Sequence, residues 1–366
     1  MKIALVTTNL RGGGAEKTVL KLAASLAGRG HEVHLLLLEH LVELDLPPGL
    51  SLHALSTPGR ARAKGFLGKR LTALALRRLV GRLSRPRPFD LLVSTLPYAD
   101  EVAALARVSP LWHRIANTLS AEVDLLSRRD PAKANRRRAR YRRLYGRANL
   151  VAVSQGVAED LRSRLGLTGA NIVTIYNPFD LEDIRRQAEA PEPDLPEEPY
   201  ILHIGRFAPQ KRHDLLLAAW RAAGLPHRLV LLTRPEEGLK RLVAASGAGD
   251  RVTIAGFHAN PYPWIARADL LVLCSDHEGL PNVLIEALVC GTRVVSTDCP
   301  SGPREVLTGE LARFLVPCGE APALAEAMQA ALAAPRPEPG QGLAPFAAAT
   351  VLQAYEALPG RWRAPV

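Results

Sequence analysis

Short apolar runs alternate with segments of helical periodicity along almost the whole chain. Runs at residues 3–6, 33–38, 91–94, 150–153 and 172–175 predict strands in the first half. Runs at 200–204, 229–232, 252–255, 270–273 and 293–296 predict a second set. The segments between them read as helices. After the first strand, for example, Val19, Leu22, Ala23 and Leu26 recur at helical spacing, and Gly28 and Gly30 end the pattern. This rhythm predicts an α/β protein with parallel sheets covered on both faces. The pattern breaks at 188–199, which holds four prolines and five acids without apolar periodicity, and so reads as a linker. The expected layout is a first domain at 1–187, a linker at 188–199 and a second domain at 200–345, each Rossmann-like. After the Pro/Gly-rich stretch 334–345, a last helix is expected over 346–358. No repeat of fixed period is visible.

Length and composition agree with two globular domains. The chain has 366 residues, 47% apolar and 23% charged, which excludes a mainly disordered chain, a collagen-like fibre and a coiled coil. No apolar run is long enough to span a bilayer, and the first residues lack the apolar stretch of a signal peptide. Cys274, Cys290, Cys299 and Cys318 form no Cys-x-x-Cys pair and read as buried thiols of a cytoplasmic protein.

Charge changes the picture more. The net charge is +11, but residues 60–88 carry ten Lys/Arg and no acid, and residues 128–147 carry ten with one acid, Asp130. These stretches hold +19, leaving −8 for the rest, so the excess is local and points to an anionic partner. Nucleic acid is disfavoured, since no helix-turn-helix, zinc-finger or RNP-type signature accompanies the runs. An anionic membrane surface fits better. Phe66, Leu67, Leu71, Leu74, Leu79 and Leu83 interleave with Lys69, Arg70, Arg77, Arg78 and Arg82, as on an amphipathic surface helix. A plain solvated helix face stays as the alternative.

Three motifs carry candidate chemistry. Residues 9–16 contain Gly12-Gly13-Gly14 at the first strand-to-helix turn, where glycines let backbone approach a phosphate and a helix N-terminus favours anions. The spacing is neither a dinucleotide fingerprint nor a P-loop. The second motif, Gly205-Arg206-Phe207-Ala208-Pro209-Gln210-Lys211-Arg212, follows the first strand of the second half. It puts Arg206 just past the strand and Lys211 at the opening of the next helix, two cations able to hold a diphosphate. The third runs from Ser275 to Leu288. It offers the backbone N–H groups of Gly279 and Leu280, Pro281 in a first helical turn, one buried face of Val283, Leu284, Ala287 and Leu288, and Asn282 with Glu286 on another. Glu278 and Glu286 are separated by seven residues. A glycosidase pair stands roughly 5–9.5 Å apart across one bond, whereas eight helical residues span about 12 Å. The two glutamates therefore read as holding two ends of one ligand, Glu286 being able to accept both hydroxyls of a ribose.

Together Gly-Gly-Gly-Ala-Glu-Lys, Gly-Arg-Phe-x-x-Gln-Lys-Arg, Glu-Gly-Leu-Pro-Asn-Val-Leu-Ile-Glu and the run 294–305 resemble the retaining glycosyltransferases of family 4, of GT-B fold, in particular bacterial members that build surface polysaccharide or lipid-linked glycans. The resemblance implies two Rossmann-like domains facing across a cleft, with the last helix returning to the first domain. It implies that Arg206 and Lys211 bind the donor diphosphate and stabilise its leaving charge without a metal or other cofactor. Glu278, Gly279 and Leu280 would meet the donor sugar or phosphate, Asn282 would line the same site, and Glu286 would bind the ribose. Gly13 and Gly14 would lie beside the phosphates. The favoured donor is a uridine diphosphate sugar, selected by loops such as 256–263 and 275–282. The first domain would take the acceptor, and a membrane-bound glycan acceptor would account for its basic runs, placing the protein on the inner face of the cell membrane. One departure stands out: many relatives carry a His where this chain has Asn117 or Thr118, with His113 lying earlier. An amide is no general base, so Asn117 would orient the acceptor while the donor phosphate takes the proton. A sugar-nucleotide epimerase and a non-catalytic glycan-assembly subunit are the rival readings; the missing fingerprint disfavours a dehydrogenase.

Overall fold

A computed structural model of the chain describes residues 1–11, 13–57 and 65–364. Gly12 of the glycine turn and Arg60, Arg62 and Lys64 of the first basic run lie outside the described residues. The chain divides into two compact units, Met1–Pro178 with Ala348–Val366, and Phe179–Ala347.

The first unit is a parallel seven-stranded sheet. Its strands are β1 (Lys2–Thr7), β2 (Glu32–Leu37), β3 (Ser51–Ala54), β4 (Leu91–Thr95), β5 (Leu111–Ile115), β6 (Asn149–Ala152) and β7 (Asn171–Thr174), in the order β3-β2-β1-β4-β5-β6-β7. The connecting helices are α1 (Gly14–Gly28), α2 (Phe66–Leu83), α3 (Pro97–Ala106), α4 (Leu119–Ser127), α5 (Pro131–Tyr145) and α6 (Gln155–Glu159). Every residue of β1 is buried, as a central parallel strand covered on both faces requires. Val19, Leu22 and Leu26 of α1 cover one face; Leu76 and Val80 of α2 and Val102 of α3 cover the other.

Apolar runs do not reveal β3 and β5. β3 is half-buried and carries His53. β5 reads Leu-Trp-His-Arg-Ile, and its polar members are buried because partners await them. The Ser94 hydroxyl donates to Asp100 at 2.5 Å and lies 2.7 Å from His113 Nδ1, while Tyr145 donates to Asp100 at 2.7 Å. Arg114 donates to the Asn177 side chain.

The second unit runs α7 (Leu181–Ala188), β8 (Tyr200–Ile204), α8 (His213–Ala222), β9 (Arg228–Leu232), α9 (Glu237–Ala245), β10 (Val252–Ile254), α10 (Tyr262–Arg267), β11 (Leu270–Leu273), α11 (Asn282–Val289), β12 (Arg293–Thr297), α12 (Pro303–Val306), the two-residue β13 (Leu315–Val316) and α13 (Ala321–Ala333). Its parallel sheet has the order β10-β9-β8-β11-β12-β13. Leu216 and Trp220 of α8 and Leu324 and Met328 of α13 belong to its core.

The units divide at Phe179, not in the proline-rich stretch 188–199. α7 packs on α10 and α11, Arg185 donates to the Pro339 carbonyl at 2.8 Å and Asn260 to that of Gln187 at 2.9 Å. Beyond it, Glu192 lies 3.4 Å from His258. The composition of a linker is there, but Arg228 pairs with Glu198 at 3.2 Å and donates its backbone N–H to the Pro199 carbonyl at 3.1 Å, which ties the stretch to the second unit. The last helix, α14 (Ala348–Glu356), belongs to the first unit. Val351, Leu352 and Tyr355 join the β1–α1 core, and Glu356 takes Arg29 at 3.0 Å and His31 at 2.8 Å. All four cysteines are free, but only Cys274 and Cys299 are buried; Cys290 is half-buried and Cys318 exposed. Cys318 follows the short edge strand β13, which has no further strand to cover it.

Candidate active site

In an open parallel sheet, winding reverses where two adjacent strands send their helices to opposite faces, and the loops leaving those strands part to form a crevice. In the second unit that point lies between β8 and β11. The loop after β8 is the Gly-Arg-Phe motif, and the loop after β11 carries Glu278. Topology alone brings two stretches nearly seventy residues apart to one sheet edge.

The two loops are bonded directly. Lys211 Nζ donates to Glu278 Oε1 at 2.7 Å, with the side chains 17% and 10% exposed. Gln210 donates to the His277 carbonyl at 2.7 Å, Asp276 N–H to the Gln210 carbonyl at 2.9 Å, and Arg212 pairs with Asp276 at 3.0 Å. The Cys274 thiol, fully buried at the end of β11, donates to the Lys211 carbonyl at 3.1 Å. Burial pushes that thiol up to about 12, so it stays protonated and able to donate. A third loop, after β12, closes on the second: Glu278 N–H donates to the Pro300 carbonyl at 3.2 Å and Thr297 to the Ser275 carbonyl at 2.6 Å.

Lys211 does not open the helix. It ends a short 3-10 turn, Pro209–Lys211, and α8 starts at His213 after Arg212, which takes a left-handed φ of +49°. Such a conformation costs free energy for a residue with a side chain; here Arg212 is held by Asp214 and Asp276. Arg206 is exposed, and among the described residues it makes no ion pair. Phe207 anchors the loop edge-on to His213, ring centroids 5.4 Å apart.

Under this loop lies a pair of histidines that the motifs do not flag. His203 is fully buried and its Nδ1 donates to the Val272 carbonyl at 2.9 Å. A Cβ on Gly205 would sit 3.3 Å from its Nε2 and 3.4 Å from Lys211 Cδ, so the glycine lets the loop lie flat on the ring. Burial, reinforced by His213, pushes His203 down to about 3; burial, reinforced by Lys211, pushes His213 down to about 4. Both are neutral beneath Lys211, adding no competing positive charge. A histidine on an apolar strand gives no sequence signal of this role; the ring contact reveals it.

Pro281 caps α11, which begins at Asn282. The predicted single buried face is too narrow: Leu284 through Val289 are all buried, Glu286 among them, and Val283 is only half-buried. The cause is enclosure, since α7, α10, α12 and β12 all pack on this one helix. Tyr262 OH lies 3.5 Å from Glu286 Oε1, so α10 joins the site. Glu278 stands in the loop before the helix, and helical rise does not set its separation from Glu286. Leu280 is buried, and Gly302, at φ +103°, lies so close that a Cβ there would meet Pro281 Cδ at 2.4 Å.

The remaining predicted residues belong to the first unit. Gly13 caps α1 in an extended conformation and Gly14 begins the helix. A Cβ on Gly14 would meet nothing within 4 Å, so no internal packing demands that glycine. Asn117 follows β5 and donates to Glu122 Oε1 at 2.9 Å. His113 is locked in the buried Ser94–Asp100 network and is not available to a substrate. No group of three or more metal-ligating side chains occurs among the described residues.

This geometry agrees with what the chain is similar to. The model of the glycosyl transferases group 1 matches residues 198–334, and that of glycosyltransferase family 4 matches 12–183. An N-acetylgalactosaminyltransferase from Campylobacter jejuni, named for an N-acetylgalactosamine-diacetylbacillosaminyl-diphospho-undecaprenol acceptor, is 28% identical over 83% of this chain and 83% of its own. The lipopolysaccharide 1,6-galactosyltransferase of Escherichia coli is 29% identical over 46% of this chain and 48% of its own. Among solved structures, a sucrose-phosphate synthase from Thermosynechococcus elongatus superposes with a TM-score of 0.77 at 21% identity, covering 98% of both chains. Anabaena HepE, in complex with UDP and glucose, superposes at 0.71 and 20% identity, covering 98% of this chain and all of that one. The chain belongs to the family 4 glycosyltransferases of GT-B fold. Its activity is glycosyl transfer, and the epimerase and non-catalytic readings are not favoured.

Proposed function

We propose that the chain is a retaining transferase that takes a sugar from a uridine diphosphate donor and passes it to a lipid-linked or lipopolysaccharide glycan. The observation that carries the reading is the Lys211–Glu278 pair at the β8/β11 crevice, beside the exposed Arg206. Arg206 and Lys211 neutralise the diphosphate as the bond from the anomeric carbon to its oxygen breaks, a charge that develops in the transition state and is best met by fixed cations. Two cations do this without a metal ion. Glu278, released from Lys211, takes a sugar hydroxyl. The N–H groups of Gly279 and Leu280 and the side chain of Asn282 line the donor site, and Glu286, beside Tyr262, accepts the ribose hydroxyls. The acceptor hydroxyl forms the new bond on the same face and its proton passes to the departing phosphate oxygen. In the first unit, Gly13 and Gly14 offer backbone to a phosphate, and Asn117 orients the acceptor.

The names of the C. jejuni and E. coli relatives support an acceptor in cell-surface glycan assembly. The UDP held by HepE supports the donor base. Among the described residues no helix is long and apolar enough to cross a membrane; the basic runs at 60–88 and 128–147 would hold the protein peripherally on the inner face, against an anionic surface. The test is thermal stabilisation by UDP, GDP, ADP and CMP. A ligand at 100 times its dissociation constant adds about 2.7 kcal/mol. Stabilisation by UDP alone, lost in Lys211→Ala, supports the reading, and no stabilisation by any nucleotide refutes it. Product anomer by NMR and turnover in a chelator test retention and metal independence.

A further inference from the structure

Residues 66–83 of the first basic run form α2 and residues 131–145 of the second form α5, and with α3 they line a groove of about 580 Å³. Arg70 and Arg77 enter from α2, Arg107 from the end of α3, and Arg140 and Arg143 from α5; the single acid is Glu101. Glu101 is already taken by Lys69 at 2.6 Å and by Arg140. Arg70, Arg77, Arg107 and Arg143 are exposed and pair with no carboxylate among the described residues. Four guanidinium groups around one concavity repel one another, and an anion with several oxygens relieves that repulsion by accepting from more than one of them.

The rim identifies the anion's carrier. α2 buries Thr72, Ala73, Leu76 and Val80 against the sheet, yet on its outer side Phe66 is 69% exposed, Leu67 73%, Leu71 64% and Leu74 44%. Leu105, at the end of α3, is exposed across the groove. Leu74 and Leu105 line the groove itself, and Phe66, Leu67 and Leu71 extend the apolar surface over the first turns of α2 next to Arg70. Five of the eight exposed large hydrophobics among the described residues thus lie on α2 and α3 and call for a partner that accepts them. Nucleic acid would neutralise the arginines but gives aliphatic leucines nothing to enter. A bilayer surface supplies both, phosphate at headgroup depth and hydrocarbon just below.

We propose that the groove between α2, α3 and α5 is a headgroup site for an anionic phospholipid, with Phe66, Leu67, Leu71 and Leu74 entering the apolar layer beside it. The inference rests on the membrane reading above and sharpens it from a charged region to one site.

The experiment measures binding of the full chain to phosphatidylcholine vesicles with and without phosphatidylglycerol. Arg70→Ala/Arg77→Ala/Arg143→Ala removes three of the four arginines of the groove that pair with no carboxylate among the described residues. Arg128→Ala/Arg129→Ala/Arg136→Ala removes equal charge from exposed positions outside it. Leu67→Asn/Leu71→Asn removes the apolar fringe. The expected result is binding only to the anionic vesicles, weakened at least tenfold more by the groove variant than by its charge-matched control, and weakened by the fringe variant even at low salt. An unchanged far-UV circular dichroism spectrum and an unchanged melting temperature in every variant verify that the first unit, which carries all the substitutions, is folded. Equal losses in the two arginine variants would overturn the groove while leaving diffuse membrane attraction intact. No vesicle binding by the unaltered chain would refute the membrane reading itself. Retention of a single-stranded polynucleotide by the groove, without vesicle binding, would replace the lipid by nucleic acid.

Discussion

Lys211 and Glu278 cannot serve a donor and each other at once, and that competition can be measured. In the structure they are bonded at 2.7 Å and largely enclosed. Removing one member of a buried pair costs about 3–5 kcal/mol, because the other is left as an unpaired charge. These side chains retain some exposure, so Lys211→Ala is expected at or below the lower end, about 2–3 kcal/mol, or on the order of 5–10 °C in the melting temperature of a unit this size. Adding Glu278→Gln should return part of it, since no buried charge then remains. Binding should separate the two residues more sharply. Lys211→Ala loses a charge-assisted contact worth about 1.5–3 kcal/mol, or roughly 10–150-fold in UDP affinity. Glu278→Gln should bind UDP as tightly as the unaltered chain or tighter, because Lys211 no longer leaves a carboxylate to reach the phosphate, yet its turnover of the complete donor should fall. Calorimetric titration with UDP and a transfer assay give both numbers. Weakening of UDP by Glu278→Gln to the same extent as by Lys211→Ala would refute the exchange.

Acid should weaken the second unit through its histidines. Free histidine titrates near 6.5, but His203 and His213 are pushed down to about 3 and about 4. Below pH 6.5 the unfolded chain takes up protons that the folded chain refuses. Their contribution is therefore complete above that pH and erodes as pH falls, by about 1.4 kcal/mol per unit for each histidine. Urea midpoints between pH 7.5 and 5.5 should show a decline that His203→Gln makes shallower; an unchanged slope in that variant would contradict it. Gly302→Ala should cost about 2–3 kcal/mol and weaken UDP binding, since its Cβ would strike Pro281 at 2.4 Å and push the Glu278 loop. Gly309→Ala, at φ +56° with nothing within 4 Å, should show only a backbone cost of about 1–2 kcal/mol and leave UDP binding alone. Equal UDP affinities in the two variants would count against a positioning role for Gly302.

The long apolar strands and the residue types of the Gly-Arg-Phe and Glu-x7-Glu motifs were legible in the sequence, because a strand buried on both faces must be apolar throughout and each motif is a short local run. β5 was not, since His113 and Arg114 are tolerated in the core only through Ser94, Asp100 and Asn177, whose positions are known only after folding. Nor was the division at Phe179: prolines and acids mark a linker by composition, while Arg228, through Glu198 and the Pro199 carbonyl, fastens that stretch to one unit. In the site, sequence supplied Arg206, Lys211, Glu278 and Glu286 as separate candidates. The order of β8 beside β11 made Lys211 and Glu278 neighbours, and it set His203 and Cys274 beneath them. Local composition determines which strands form and which chemistry is available; which residues share a crevice depends on the strand order of the sheet, a long-range property that no segment encodes alone.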